Sequence, residues 1–123
     1  MTLKELLKNS IEGTGEVTET LMKTTTGIVK EGSHDIEEIF AAVIELGKDG
    51  AVDVTEGVKG VFVGSVRGLE DSGKSTEEAV EHVSEKALGA IGKVTQEGAE
   101  ETGEAARKGV DEAKKTLQKP FQK

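Results

Sequence analysis

The most specific chemical pattern in the sequence runs from Gly68 to Ser75 and reads Gly-Leu-Glu-Asp-Ser-Gly-Lys-Ser. It matches the letters of the phosphate-binding loop, G-x-x-x-x-G-K-[ST], in which backbone N–H groups and a lysine hold phosphates and a hydroxyl binds magnesium. Glu70 and Asp71 would place two negative charges inside that cradle. No later apolar run ends in an aspartate that could supply the second metal contact. We therefore expect a helix end followed by a new helix cap, and a nucleotide-binding loop stays as a remote alternative.

The other residues that could do chemistry form no recognisable site. His34 lies beside Asp35, and His82 follows Glu78 by one helical turn, but two ligands do not complete a metal site. Nothing in the sequence marks any two of the 24 acidic residues as a desolvated catalytic pair. No serine is flanked by the glycines of a nucleophile elbow. We therefore predict no catalytic, cofactor-binding or metal-binding residues, and no enzymatic activity.

The amino-acid composition limits the classes of molecule that this protein is expected to bind. The 123 residues carry a net charge of -8 and contain no run of Lys or Arg, which argues against nucleic acid and does not favour anionic lipid. Cysteine is absent, as is typical of a reducing compartment. No window approaches the roughly 18 apolar residues of a membrane span. These features predict a cytoplasmic protein.

Cap signals mark where the helices begin and end. Thr2 and Ser75 are each followed three residues later by glutamate, which is the spacing of a capping box. Gly32 predicts a helix end, and Ser33 after it predicts a new N-cap. The chain is therefore expected to form a single all-α domain over 1–123, an antiparallel bundle of three long glycine-rich helices. The expected ranges are about 2–31, 34–70 and 75–117, with a polar tail at 118–123 and a fourth helix if the second breaks at 47–50.

Apolar residues recur at helical spacing along the second and third predicted helices. Several are eleven residues apart, a period that suits straight or slightly right-handed helices. Sixteen glycines weaken these helices, at about 1 kcal/mol each relative to alanine, so the helices must depend on close packing or on a partner. The predicted packing and interaction stripe consists of Ile36, Phe40, Val43, Val54, Val58, Val61, Leu69, Val83, Ile91 and Val94.

Two segments, together under a third of the chain, resemble known families. The run Val-Thr-Glu-Gly-Val-Lys-Gly-Val-Phe-Val-Gly-Ser from Val54 to Ser65 resembles the eleven-residue repeats of synucleins. The stretch from Thr95 to Lys115 is similar to group 3 late-embryogenesis-abundant proteins. The resemblance implies helices able to pack on themselves, on a partner or on a lipid surface. The acidic balance, the large-residue stripe and the cap signals depart from both families.

These observations predict a non-enzymatic helical bundle that acts as a structural or protein-interaction protein. Self-association or binding of another protein would cover apolar positions left by a thin core. The alternative is a stress-related protein whose amphipathic helices adsorb to a lipid or granule surface.

Overall fold

The computed structural model describes residues 2–12, 16–32 and 34–118, and within these ranges the chain is helical and contains no strand. Six helices follow one another: α1 (Leu3–Ile11), α2 (Val17–Glu31), α3 (Ile36–Lys48), α4 (Val54–Asp71), α5 (Thr76–Gln96) and α6 (Glu100–Gln118). The all-α prediction is confirmed. The predicted number of three or four helices is wrong, because each of the three long helices is interrupted.

Glycine accounts for two of the three interruptions. The second predicted helix ends at Lys48, and Gly50 in the following turn has a φ of 82°, so the break suggested at 47–50 is present. The third predicted helix ends at Gln96, where Gly98 has a φ of 93°. L-residues with a side chain rarely adopt these angles. The first interruption contains residues 13–15, which lie outside the described residues.

The predicted caps are present where the structure describes them. The Thr2 hydroxyl accepts from the backbone N–H of Glu5, and the Glu5 carboxylate accepts from the backbone of Thr2 in return. Ser75 caps α5 by accepting from the Glu78 backbone at 3.2 Å. Gly32 ends α2 with a φ of 70°. The cap of α3 is Asp35, since its carboxylate accepts from Glu37 at 2.7 Å; the predicted cap, Ser33, lies outside the described residues.

Helix α4 lies at the centre of the fold and packs against α2, α3, α5 and α6. It is buried almost all round from Gly57 to Val66, and the ring of Phe62 meets the ring of Phe40 edge to face at 6.3 Å. A helix that is buried on every side must pass its neighbours at close range, and α4 does so by means of glycine. No helix within the described ranges combines the length and the apolarity needed to cross a membrane.

The closest contact is between α2 and α4. A Cβ at Gly60 would lie 2.7 Å from the carbonyl oxygen of Thr18, and one at Gly68 would lie 3.1 Å from that of Thr26. Gly64, between them, faces the carbonyl oxygen of Met22 even more closely. The two helices therefore touch backbone to backbone at three successive turns. Because the paired positions advance together along both helices, α2 and α4 run in the same direction.

We expect the space at Gly64 to be essential to this contact. Gly64→Ala would push its methyl group into the Met22 carbonyl, which a backbone cannot easily move away from, and should lower the free energy of unfolding by about 1–3 kcal/mol or more. Gly27→Ala is the matched control in α2, because nothing lies within 4 Å of its Cβ position. That change should raise stability by about 0.5–1 kcal/mol through helix propensity alone. Urea denaturation of both variants tests the contact, and equal effects would contradict it.

Adjacent threonines of α2 give a second prediction. The Thr25 hydroxyl is fully buried and has no hydrogen-bond partner among the described residues, whereas Thr26 donates to the carbonyl oxygens of Met22 at 2.7 Å and Gly64 at 3.2 Å. Burying an unsatisfied hydroxyl costs about 1–3 kcal/mol. Thr25→Val should therefore raise the urea concentration at the midpoint of unfolding, and Thr26→Val should lower it. A loss of stability in both variants would count against this account of Thr25.

Candidate functional site

The residues of the predicted stripe are placed in the interior. Eight of the ten are buried, and Val54 and Leu69 are half-buried at the two ends of α4. Val43 and Val54, which the eleven-residue spacing placed on one helix, belong to α3 and α4 respectively. In the folded chain the stripe therefore forms core and offers no open face.

The segment that spells a phosphate-binding loop divides between two helices. Gly68 lies inside α4 and packs on Val29, where a Cβ would come within 2.8 Å of that side chain. Residues 61–66, which could have passed for a preceding strand, are helical. Gly73 has a φ of 107° in the connection, and the Ser75 hydroxyl is engaged as the cap of α5. Gly68 therefore serves the packing of α4 on α2, Gly73 serves the turn after α4, and Ser75 serves the start of α5.

The histidines do not gather a set of ligands. His34 lies 3.9 Å from the carboxylate of Glu38, one turn along its own segment. Over the ranges 2–12, 16–32 and 34–118, no group of three or more His, Cys, Asp or Glu side chains is arranged to hold a metal ion.

A groove of about 860 Å³ lies on the outer side of α5, beside the end of α6. Its apolar lining comes from Val80 and Leu88 of α5 and Leu117 of α6. Among the described residues, Leu88 is the only large hydrophobic side chain that is exposed, and its exposed fraction is 52%. We refer to this feature as the α5–α6 groove.

The sequence of α5 explains why these side chains remain at the surface. Ala79, Val83 and Ala87 repeat every four residues and are fully buried against the core. Val80, Ser84 and Leu88 each follow one of them by one position, which turns them by about 100° around the helix axis. This second row therefore lies at the edge of the core, and α6 covers only part of it.

Small residues hold α6 on the central helix. A Cβ at Gly109 would lie 2.6 Å from the carbonyl oxygen of Thr55, and the Thr55 hydroxyl donates to the carbonyl oxygen of Ala105 at 2.9 Å. Ala106 and Ala113 are fully buried on the same helix. The final turns of α6 contribute Lys114 and Leu117 to the groove.

The rim of the groove is acidic on the α5 side. Glu77, Glu81 and Glu85 repeat every four residues, are exposed and line the groove in a row. Lys114 is the cationic residue on the α6 side. An apolar floor with a negative rim suits a segment that combines an apolar side chain with positive charge.

Two ion pairs link α5 to α3 and to its cap residue Asp35. Lys93 donates to a carboxylate oxygen of Glu37 at 2.6 Å, and Lys86 lies 3.8 Å from Asp35. Gly89 makes room for the Glu37 carboxylate, because a Cβ there would come within 2.5 Å of it. The hydrogen bond from Lys93 to Glu37 is the main cause that raises the pKa of Lys93 above its usual 10.5, and the negative charges of Glu37 and Asp35 add to it.

Sequence reasoning missed Val80, Leu88 and Leu117. The available signal was a second row of residues at four-residue spacing, offset by one from the buried row of α5. Such a row is common on a broad helix face and does not show whether another helix covers it.

Comparisons with family models, with curated proteins and with solved structures gave no significant match to this chain. The groove is therefore interpreted from its own geometry and chemistry.

The Lys93–Glu37 contact gives a prediction on titration. Glu37→Gln should lower the pKa of Lys93 towards its usual value, because the main cause of the upward shift is removed. A group with a raised folded-state pKa stabilises the fold below its unfolded pKa and loses that contribution as the pH rises through the folded value. The stability difference between wild type and Glu37→Gln should therefore shrink at strongly alkaline pH. NMR titration of the Lys93 side chain tests the shift.

Glu38→Gln is the matched control, since Glu38 is exposed, neighbours Glu37 and has its nearest ion-pair partner in His34. The same downward shift of the Lys93 pKa in both variants would contradict a specific role for Glu37.

Proposed function

We propose that this chain is a non-enzymatic helical-bundle protein that acts through protein interaction, with the α5–α6 groove as its binding surface. The observation that carries the proposal is the 52% exposure of Leu88 between two half-buried apolar residues, in a protein whose other large apolar side chains in the described ranges are at least half-buried. Exposed apolar side chains gathered in one concave place are typical of binding surfaces.

The extent of the groove favours a short or weak contact. A standard protein–protein interface buries about 800 Å² on each partner. Three apolar side chains can supply only the centre of such an interface. A second copy is the partner that is always available, and association through this groove would be weak and concentration-dependent. The lack of cysteine accords with a reducing compartment, and the proposal places the protein in the cytoplasm.

We also propose that helices that are consecutive in the chain run antiparallel to each other. The connections from α3 to α4, from α4 to α5 and from α5 to α6 span 49–53, 72–75 and 97–99, and such short links favour antiparallel neighbours. An up-and-down order also requires α2 and α4, which are separated by one helix, to run in the same direction. The glycine contacts between α2 and α4 support this order.

Adsorption to a lipid or granule surface is the less favoured function. The stripe that would face the lipid is mostly buried, so the bundle would have to open before its helices could adsorb. The net charge of -8 opposes anionic membranes in particular. A rise in helicity when vesicles are added to the folded protein would favour this alternative.

Light scattering over a range of concentrations tests the proposed surface. Leu88→Glu should shift the molar mass towards the 13.0 kDa of one chain at concentrations where the wild type associates, because a charge cannot be buried in the apolar centre without a large cost. Gln96→Glu adds the same charge at an exposed position near the other end of α5 and should leave the mass unchanged. Equal dissociation in both variants, or a wild type of 13.0 kDa throughout, would reject self-association through the groove.

A further inference from the structure

The charged residues that line the α5–α6 groove are distributed unevenly between its two sides. Glu77, Glu81 and Glu85 lie along the α5 side, and Lys114 lies on the α6 side. The three glutamates are exposed and four residues apart, which places them about 6 Å from one another along the helix. No ion pair joins any of the three to another described residue. Their charges are therefore available to a partner.

Beside this acidic row lies an apolar row with a short side chain at its centre. Val80 and Leu88 are about 12 Å apart along α5, and Ser84 lies about one turn from each of them. Large apolar side chains thus lie at both ends of the row, with the much smaller serine between them. This arrangement leaves room over Ser84 for an apolar side chain of a partner, which would contact Val80 on one side and Leu88 on the other.

A helical partner suits the groove better than an extended one. The lining residues of α5 span 75–88, which is about 20 Å and equals the length of a helix of about fourteen residues. Such a helix satisfies its backbone hydrogen bonds within itself, whereas an extended segment needs an open strand edge. The described ranges contain no strand that could pair with one. Side chains at four-residue spacing on a partner helix also repeat at the same interval as the glutamates.

The charges of the groove favour a partner other than a second copy. Leu88 is the only exposed large hydrophobic residue among those described, so a second copy would have to use its own Leu88 as the anchor. Two copies paired in this way would bring their acidic rows close together, and each chain carries a net charge of -8. Like charges at an interface oppose association. Self-association through the groove is therefore expected to be weak, above all at low ionic strength.

We propose that the α5–α6 groove binds a basic amphipathic helix of another protein, with an apolar side chain over Ser84 and a row of Lys or Arg facing Glu77, Glu81 and Glu85. This proposal rests on the proposed function, because it takes the groove to be a protein-binding surface, and it adds the chemistry of the partner. The apolar anchor supplies most of the affinity, and the facing charges fix the orientation of the bound helix. Lys114, on the other side, favours a neutral or acidic residue at the opposite edge of that helix.

A synthetic peptide with this pattern is a direct probe. It has about fourteen residues, with leucines at three- and four-residue spacing on one face, tryptophan in place of the central leucine, a row of lysines beside that face and alanine elsewhere. The protein contains no Trp or Tyr, so the fluorescence of the peptide tryptophan reports its burial without background. A second peptide replaces each lysine by glutamine. The wild-type chain should bind the lysine peptide about tenfold more tightly than the glutamine peptide, and added salt should reduce that difference.

Two variants and one control locate the binding surface. Leu88→Gln removes the exposed apolar side chain and should weaken binding of the lysine peptide about fivefold or more. Glu81→Gln removes one charge from the centre of the acidic row and should weaken that binding about two- to fivefold, with no effect on the glutamine peptide. Glu104→Gln is the matched control, because it removes the same charge from an exposed position about 15 Å along α6 from Lys114. It should change neither affinity.

All three altered side chains are exposed, so each variant should keep the helicity and melting temperature of the wild type in circular dichroism. Weaker binding of the lysine peptide in Leu88→Gln and Glu81→Gln, with no change in Glu104→Gln, supports the proposal. Equal losses in Glu81→Gln and Glu104→Gln overturn it, because the peptide then responds to net charge alone.

The remaining results separate this proposal from the proposed function. Equal affinities for the two peptides, both lowered by Leu88→Gln, overturn the basic partner and leave the groove as a protein-binding surface. Absence of binding by either peptide up to about 1 mM also overturns the basic partner. The light-scattering test with Leu88→Glu is independent of both results, since it measures association of the chain with itself.

Discussion

The backbone contact between α2 and α4 is the constraint on which the rest of this fold depends. A Cβ at Gly60 or Gly64 would collide with a carbonyl oxygen of α2, and one at Gly68 would collide with the Val29 side chain of that helix. Glycine inside a helix lowers its intrinsic stability, and each of these residues carries that cost. The cost is offset only in the assembled bundle, where close approach brings the two backbones and their β-branched neighbours into dense contact.

This contact also explains how a chain with few large apolar residues builds a core. Only 34% of its residues are hydrophobic, and only two aromatic rings lie in the described interior. Bringing α4 close to α2 on one side, and to the Gly109 region of α6 on another, shrinks the volume that side chains must fill. Valine, isoleucine and alanine then suffice to fill the interior. The local helices have little stability of their own, so we expect them to fold together.

The small number of large apolar side chains also makes the α5–α6 groove distinctive. Most apolar residues are used in the interior, and the acidic excess covers the outside, so an exposed leucine in a concave place stands out from its surroundings. The groove combines an apolar floor with a row of exposed glutamates along one rim.

Local sequence determined the helical class, the caps at Thr2 and Ser75, the stop at Gly32 and the composition of the core, because these depend on hydrogen bonds and periodicity within a few residues. Periodicity did not reveal the breaks after α1 and α5, since a glycine at a stripe position looks the same whether it packs in a helix or turns the chain. Gly64 and Gly98 illustrate this: the first lies against another backbone, and the second has a φ of 93°. Only the tertiary structure decided which glycines packed, which face of α5 remained open and hence where the groove lies, because each outcome depends on neighbours distant in sequence.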